Sequence, residues 1–289
     1  MKNIFFLILS IVVLLLIPFS LAYLSSLNSI SSIWESILIR SFILIFIIQI
    51  IVFIPSFIFK TEHYFDLTGG ITFIIVILYA FYEKFQIIEF IDFRSVILVL
   101  FILIWSLRLS LYLFFRVKVG GDVRFIEIKK NFLRFMCAWI FQGTWVFICS
   151  FPVLIVLLNK PLENDLFLYV GIFFWVFGFL FEVIADRQKV IFNKTNKGKF
   201  ISTGLWSFSR HPNYFGELVL WLGITIISLP TFSEFQYLGL ITPIFIYLLL
   251  TKVSGVNLLE ELAEKRWGNS KDYILYKNNT PVFFPRLFK

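Results

Sequence analysis

Two cysteines and two histidines are all that this chain of 289 residues holds. Cys137 and Cys149 lie roughly three helical turns apart, so on a straight helix they cannot pair with each other. They read as small buried hydrophobes. His63 and His211 are distant in sequence, and two such histidines with two cysteines assemble no zinc or haem site in the usual way. No metal is expected. Charge is scarce too, at 15% of residues. The sequence has no GxGxxG and no Walker A motif, so a nucleotide bound here is held by neither a Rossmann fold nor a P-loop. Internal repeats, low-complexity linkers and long soluble insertions are also missing.

What the chain has is apolar length. Hydrophobic residues make up 59%, and the mean hydropathy is +0.89. These values place it among polytopic membrane proteins, not among the two-domain soluble proteins that its length alone suggests. The expected fold is all-α, an integral membrane protein of about eight transmembrane helices. Spans are expected at roughly 4–24, 37–59, 70–88, 95–116, 135–158, 166–185, 214–232 and 235–252. The third is the weakest, interrupted by Tyr82, Glu83 and Lys84. The first follows Lys2, lacks a small-x-small cleavage site and exceeds a signal-peptide core in length, so it is expected to be retained. Helices within 1–60 are expected to precede one structural unit covering 61–289.

The net charge of +8 reports orientation, because Lys and Arg gather between spans and no nucleic-acid motif accompanies them. Six basic residues fall in 116–134, six in 186–210 and seven from 252 onward; only Lys160 falls in 159–165. Eight spans put the three rich segments on one side with the N-terminus. Both termini and the chemically rich face are therefore expected in the cytoplasm. The lipid bilayer and a lipophilic small molecule are the expected partners, with no nucleic acid; oligomeric state is not set by the sequence.

The segment from Gly204 to Glu217 crowds polar groups into the doorway of an apolar helix. Pro212 suits a first helical turn, and Ser209 or His211 can cap it. Such a start favours anions, phosphate especially, and Arg210 and His211 add cationic or donor groups there. Asn213 and Glu217 share one helical face, as do Arg210 and Tyr214. A carboxylate about two turns inside a span requires a buried partner or ligand. Glu182 and Asp186 form a second one-face pair, followed by Gln188 and Lys189; two carboxylates so spaced can position a ribose hydroxyl, an amide or an arginine. In the loop Gly120-Gly121-Asp122-Val123-Arg124, Arg124 can grip a phosphate. In His63-Tyr64-Phe65-Asp66-Leu67-Thr68-Gly69-Gly70, Tyr64 and Asp66 are candidate general acids; a capped turn starting span three is the competing reading. The tail, with Glu260-Glu261, Trp267-Gly268, Tyr273 and Tyr276, reads as an amphipathic segment closing over a pocket or as an inert interfacial helix.

Ser209-Arg210-His211-Pro212-Asn213-Tyr214-Phe215-Gly216-Glu217, preceded by Phe181-Glu182-x-x-Ala185-Asp186-x-Gln188-Lys189, resembles the signature of bacterial membrane proteins allied to steroid 5-alpha-reductases, in a superfamily with sterol C14 and C7 reductases. The segments at 63–70 and 120–125 and the tail resemble that group as well. The resemblance implies a bacterial inner membrane, a cytoplasm-facing NADPH pocket and reduction of an activated carbon–carbon double bond in a steroid-, isoprenoid- or fatty-acyl-like substrate. It makes Asp186, Asn213 and Glu217 cofactor contacts, with Glu182 standing where steroid reductases have an Asn. Arg210, His211 and Tyr214 resemble the sterol-reductase form of the motif. The Glu/Tyr catalytic pair of the steroid enzymes has no match; Trp105 falls near the tyrosine's place. Arg210-His211-Pro212-x-Tyr214-x-Gly216 and Glu260-Glu261 with Tyr273 and Tyr276 are similar, too, to isoprenylcysteine carboxyl and phospholipid N-methyltransferases, which implies S-adenosylmethionine instead. A pocket that binds lipid or nucleotide without turnover is the third expectation.

Overall fold

A computed structural model describes residues 2–27, 35–88, 90, 92–120, 125–253 and 255–286. Among these the structure is helical: α1 (Lys2–Ser26), α2 (Ile37–Ile58), α3 (Phe65–Ile88), α4 (Phe93–Gly120), α5 (Phe125–Ile128), α6 (Phe132–Leu158), α7 (Leu166–Thr195), α8 (Pro212–Ser228), α9 (Ile241–Leu248), α10 (Val256–Trp267) and α11 (Lys271–Asn279). Among the described residues, eight segments are long and apolar enough to cross a membrane. The all-α polytopic architecture is thus present. Exposed Ile, Leu and Phe side chains along the helices, such as Phe5, Ile51 and Phe173, suit a hydrocarbon surround.

The chain divides into two compact units, one of 1–165 with 228–240 and one of 166–227 with 241–289. Within the first unit α1 and α2 pack on α6. In that unit α6 is the axis. It is apolar on every side and buried along most of its length, which is what a central helix requires. Side-chain hydrogen bonds tie it to its neighbours: Thr144 Oγ1 donates to Leu14 O at 2.7 Å, and Gln142 Nε2 to Phe65 O at 2.9 Å. Gln49 Nε2 donates to Thr72 Oγ1 at 3.0 Å between α2 and α3. Deep in an apolar medium, such pairs replace water that is not there to bond these groups.

The third span is longer and firmer than its charges suggest. It starts at Phe65, whose N–H bonds Glu62 O at 2.9 Å, and Thr68 Oγ1 bonds back to Tyr64 O at 2.7 Å. Asp66 and Thr68 therefore lie inside the first turn and do not cap it. At its far end Glu83 pairs with Arg40 of α2 at 2.8 Å. Lys84, only 1% exposed, gives its ammonium to Asp92 at 3.1 Å, Ser95 Oγ at 2.9 Å and Val156 O at 2.9 Å. An ammonium with three acceptors is satisfied without water. Asp92 carries three of the matching bonds, from Lys84, Ser95 Oγ and Ser95 N. Burial pushes its acidity one way and the Lys84 charge, with the Ser95 bonds, pulls it further the other; the carboxyl ends below its ordinary range. Arg94, fully buried, reaches Asp165 at 3.0 Å.

The second unit is built on the close approach of α7 and α8. Gly171 and Gly178 of α7 and Gly216 and Gly223 of α8 leave no room for a side chain. A Cβ at Gly178 would stand 2.5 Å from Leu220 N, and one at Gly216 would stand 2.6 Å from Glu182 N. Small residues at this spacing let backbones touch in lipid. The eighth span is not one α-helix: a 3₁₀ segment (Glu234–Leu240) precedes α9, and a π turn (Leu249–Val253) follows it.

Candidate functional site

α7 continues ten residues past the expected end of its span, so Glu182, Ala185, Asp186, Gln188 and Lys189 ride one continuous helix. Asn213, in the first turn of α8, donates to Asp186 Oδ1 at 3.2 Å. Glu182, Asp186 and Glu217 are all buried. The Asn213–Asp186 contact follows from the glycines, since bare backbones bring α7 and α8 this near. The next turn of α7 holds the loop before α8. Ala185 O accepts from Trp206 Nε1 at 3.1 Å, and Gln188 Oε1 accepts from Leu205 N at 2.9 Å. Gly204 adopts φ +64°, a backbone conformation that favours glycine. Lys189 Nζ lies 4.7 Å from the Trp206 ring centroid.

Ser209, Arg210 and His211 are fixed from the other side by the tail. Arg210 N donates to Pro281 O at 2.9 Å, Arg286 N to Phe208 O at 3.0 Å, and Ser209 Oγ to Phe283 O at 2.8 Å. Pro212 opens α8 as its sequence position requires, and His211 O takes the first helical bond, from Phe215 N at 3.2 Å. Ser209 Oγ, meanwhile, accepts from His211 N at 3.2 Å.

These elements floor a cavity of about 440 Å³ roofed by α10 and α11. Tyr276 Oη donates to Trp206 O at 2.7 Å, and Trp267 Nε1 to Gly198 O at 2.7 Å, which hold roof to floor. Phe200 stacks on Tyr276 with centroids 5.5 Å apart. The cavity wall carries the cations Lys189, Lys197, Lys199, Arg210 and Arg266, and the rings of Phe200, Trp206, Trp267, Tyr273 and Tyr276. Glu260 is the one carboxylate among its lining residues. It bridges two neighbours, with Oε2 at 2.6 Å from Arg210 Nη1 and Oε1 at 2.8 Å from His211 Nε2. Burial of His211 lowers its proton affinity below the ordinary value; Glu260 opposes this, and the charges of Lys189 and Arg210 reinforce it. Burial raises both Tyr273 and Tyr276, so the two phenols stay protonated and can donate.

Seven residues singled out from the sequence, Lys189, Arg210, His211, Glu260, Trp267, Tyr273 and Tyr276, line this cavity. Glu182, Asp186, Asn213, Tyr214 and Glu217 are not among its lining residues. The first three form the α7–α8 contact just described, and Tyr214 stacks flat on His211, 5.7 Å between centroids and 12° between planes. Arg124 lies outside the described residues. In the first unit, Asp66 lines a small cavity of about 30 Å³ with Gly70, Ser106, Ser110, Gln142 and Trp145. Tyr64 does not line it; its ring is half exposed and packs against His63 at 5.1 Å. Sequence reasoning missed Lys197, Lys199, Phe200 and Arg266 as wall residues. The two lysines entered only as an orientation signal, although Lys197 and Lys199 stand beside Phe200 in the sequence.

Residues 52–280 match a family described as a protein of unknown function, DUF1295. An uncharacterized protein of Schizosaccharomyces pombe is 24% identical over 224 residues, covering 64% of this chain and 61% of its own length. No solved structure matches. With more than half of its length matched by the family, the chain belongs to the DUF1295 proteins of unknown function.

Proposed function

We propose that this protein is a membrane-embedded, NADPH-dependent reductase of a carbon–carbon double bond in a lipophilic substrate. The observation that carries the reading is the wall of the 440 Å³ cavity, where five cations face one carboxylate between aromatic rings. Cations suit phosphates, and flat aromatic faces suit a purine. The volume is that of an ordinary small-molecule site. NADPH would supply hydride. Arg210 and the lysines would hold its phosphates, while Trp206 and Trp267 offer stacking faces. The buried carboxylates Glu182, Asp186 and Glu217 have the chemistry to accept from ribose or amide groups.

The methyltransferase reading draws on the same Arg210-His211-Pro212 element and on Glu260, Tyr273 and Tyr276, which do line the cavity. Charge opposes it. S-adenosylmethionine bears a sulfonium and an ammonium against one carboxylate, and a wall of five cations repels a net cation.

The deciding experiment is a melting curve of the purified protein with NADPH, NADH, S-adenosylmethionine or none. A ligand that binds only the folded state raises the midpoint by mass action. NADPH is expected to shift it and S-adenosylmethionine to leave it in place. The opposite pattern replaces the reductase with the methyltransferase, and no shift by any of them at millimolar concentration removes both. NADPH binding with no consumption against a panel of enone lipids selects the binding-only protein.

A further inference from the structure

The anion seat formed by Arg210 and His211 already holds an anion, and the chain itself provides it. Each oxygen of the Glu260 carboxylate meets one of the two residues, at 2.6 Å and 2.8 Å. That is the placement two oxygens of a phosphate would take. The guanidinium is neutralised there but not satisfied. Arg210 is 9% exposed, and its Nε is sealed from solvent without a hydrogen bond, while Nη1 is the atom that meets Glu260 at 2.6 Å. Buried donors without acceptors are costly, and a better acceptor at this place is worth more than its charge alone. Glu260 itself is looser, with 23% of its side chain exposed on α10.

We propose that Glu260 is a specificity-determining residue: its carboxylate is a placeholder in a phosphate seat, given up only to a ligand with several negative charges. The inference rests on the nucleotide reading of this pocket. A monoanion that displaces Glu260 exchanges one charge for another and leaves the displaced carboxylate nearby, so it gains little. A polyphosphate reaches Lys189, Lys197, Lys199 and Arg266 as well, and these contacts offset the cost of moving Glu260. The seat thereby discriminates by charge count before any base or ring is read.

Calorimetric titration of the full-length protein in detergent tests this with three probes: pyrophosphate, glycerol 3-phosphate and adenosine 2′,5′-bisphosphate. Glu260→Gln keeps the shape and removes the charge; Glu261→Gln, at the exposed neighbour on α10, is the control. Glu260→Gln is expected to tighten pyrophosphate and glycerol 3-phosphate on the order of tenfold, the effect of removing a like charge from an anion's side, with Glu261→Gln unchanged. Unchanged or weaker binding of pyrophosphate in Glu260→Gln overturns the proposal, because the carboxylate is then outside the seat or is itself a ligand contact. If Glu260→Gln and Glu260→Ala both lose their melting transition, Glu260 is a structural clasp and the proposal falls. A wild-type preference for adenosine 2′,5′-bisphosphate over glycerol 3-phosphate assigns the seat to a nucleotide, and the reverse assigns it to a lipid headgroup. Tighter pyrophosphate binding without any NADPH binding keeps this inference and removes the reductase. NADPH binding with no gain in Glu260→Gln does the opposite.

Discussion

Replacing Gly178 by alanine sets two effects of opposite sign against each other. In an exposed helix, alanine is better than glycine by about 1 kcal/mol, so propensity alone makes the variant more stable. Packing points the other way. The new Cβ would stand 2.5 Å from Leu220 N, 2.6 Å from Gly216 O and 3.0 Å from Val219 C, all of them backbone. Carbon contacts are comfortable near about 3.5 Å, so α7 and α8 must part by roughly 1 Å. No rotamer change relieves a clash with a main chain. Overpacking of this kind costs about 1–3 kcal/mol. The Asn213–Asp186 hydrogen bond, already 3.2 Å long, stretches with the same movement and forfeits up to about 1 kcal/mol more. The net expectation is a loss of about 1–2 kcal/mol. It should be read as a lower denaturant midpoint in micelles. Gly216→Ala acts at the same contact, so the double variant should lose less than the sum of the two. A Gly178→Ala protein that is more stable than the parent refutes the close approach, because propensity would then be the only term present.

Lys84→Met strands the Asp92 carboxylate at a buried site and should cost about 3–5 kcal/mol in a denaturation midpoint, while Lys84→Met with Asp92→Asn should recover much of it. Because the folded Asp92 carboxyl lies below its ordinary range, its contribution is present above pH about 4 and lost as pH falls through the folded value; Asp92→Asn should flatten that acid limb of a stability–pH curve. His211 has a lowered proton affinity in the fold, so the unfolded chain binds the proton better, and stability should fall as pH drops from about 6.5. In His211→Gln the melting temperature should lose this slope between neutral and mildly acidic pH. Tyr276→Phe deletes the 2.7 Å bond to Trp206 O and should cost about 1 kcal/mol, seen as a lower midpoint with the cavity roof loosened.

The span count and the all-α class were legible because lipid leaves one solution for the backbone, and hydropathy reads it directly. The opening of α8 at Pro212 was legible for a local reason, a fixed φ and a missing N–H. The pocket was half legible. Lys189, Arg210 and His211 announced themselves as polar groups near an apolar helix, yet Lys197 and Lys199 looked like any basic loop. Nothing in a charge count tells a solvated lysine from one that lines a cavity; that difference is made by α10 and α11 folding back, a contact between segments some sixty residues apart in sequence. Gly171, Gly178, Gly216 and Gly223 were silent for a related reason. Each glycine has meaning only against its partner on the other helix, and the seven-residue spacing shared by the two pairs is the trace that such a contact leaves. The same logic reinterprets Glu260. As a sequence feature it favoured a methyl-donor site, whereas its pairing with Arg210 and His211 makes it the stand-in for an incoming anion. Its charge was readable from the chain, but the sign of its effect on a ligand follows only from which side chains it already holds.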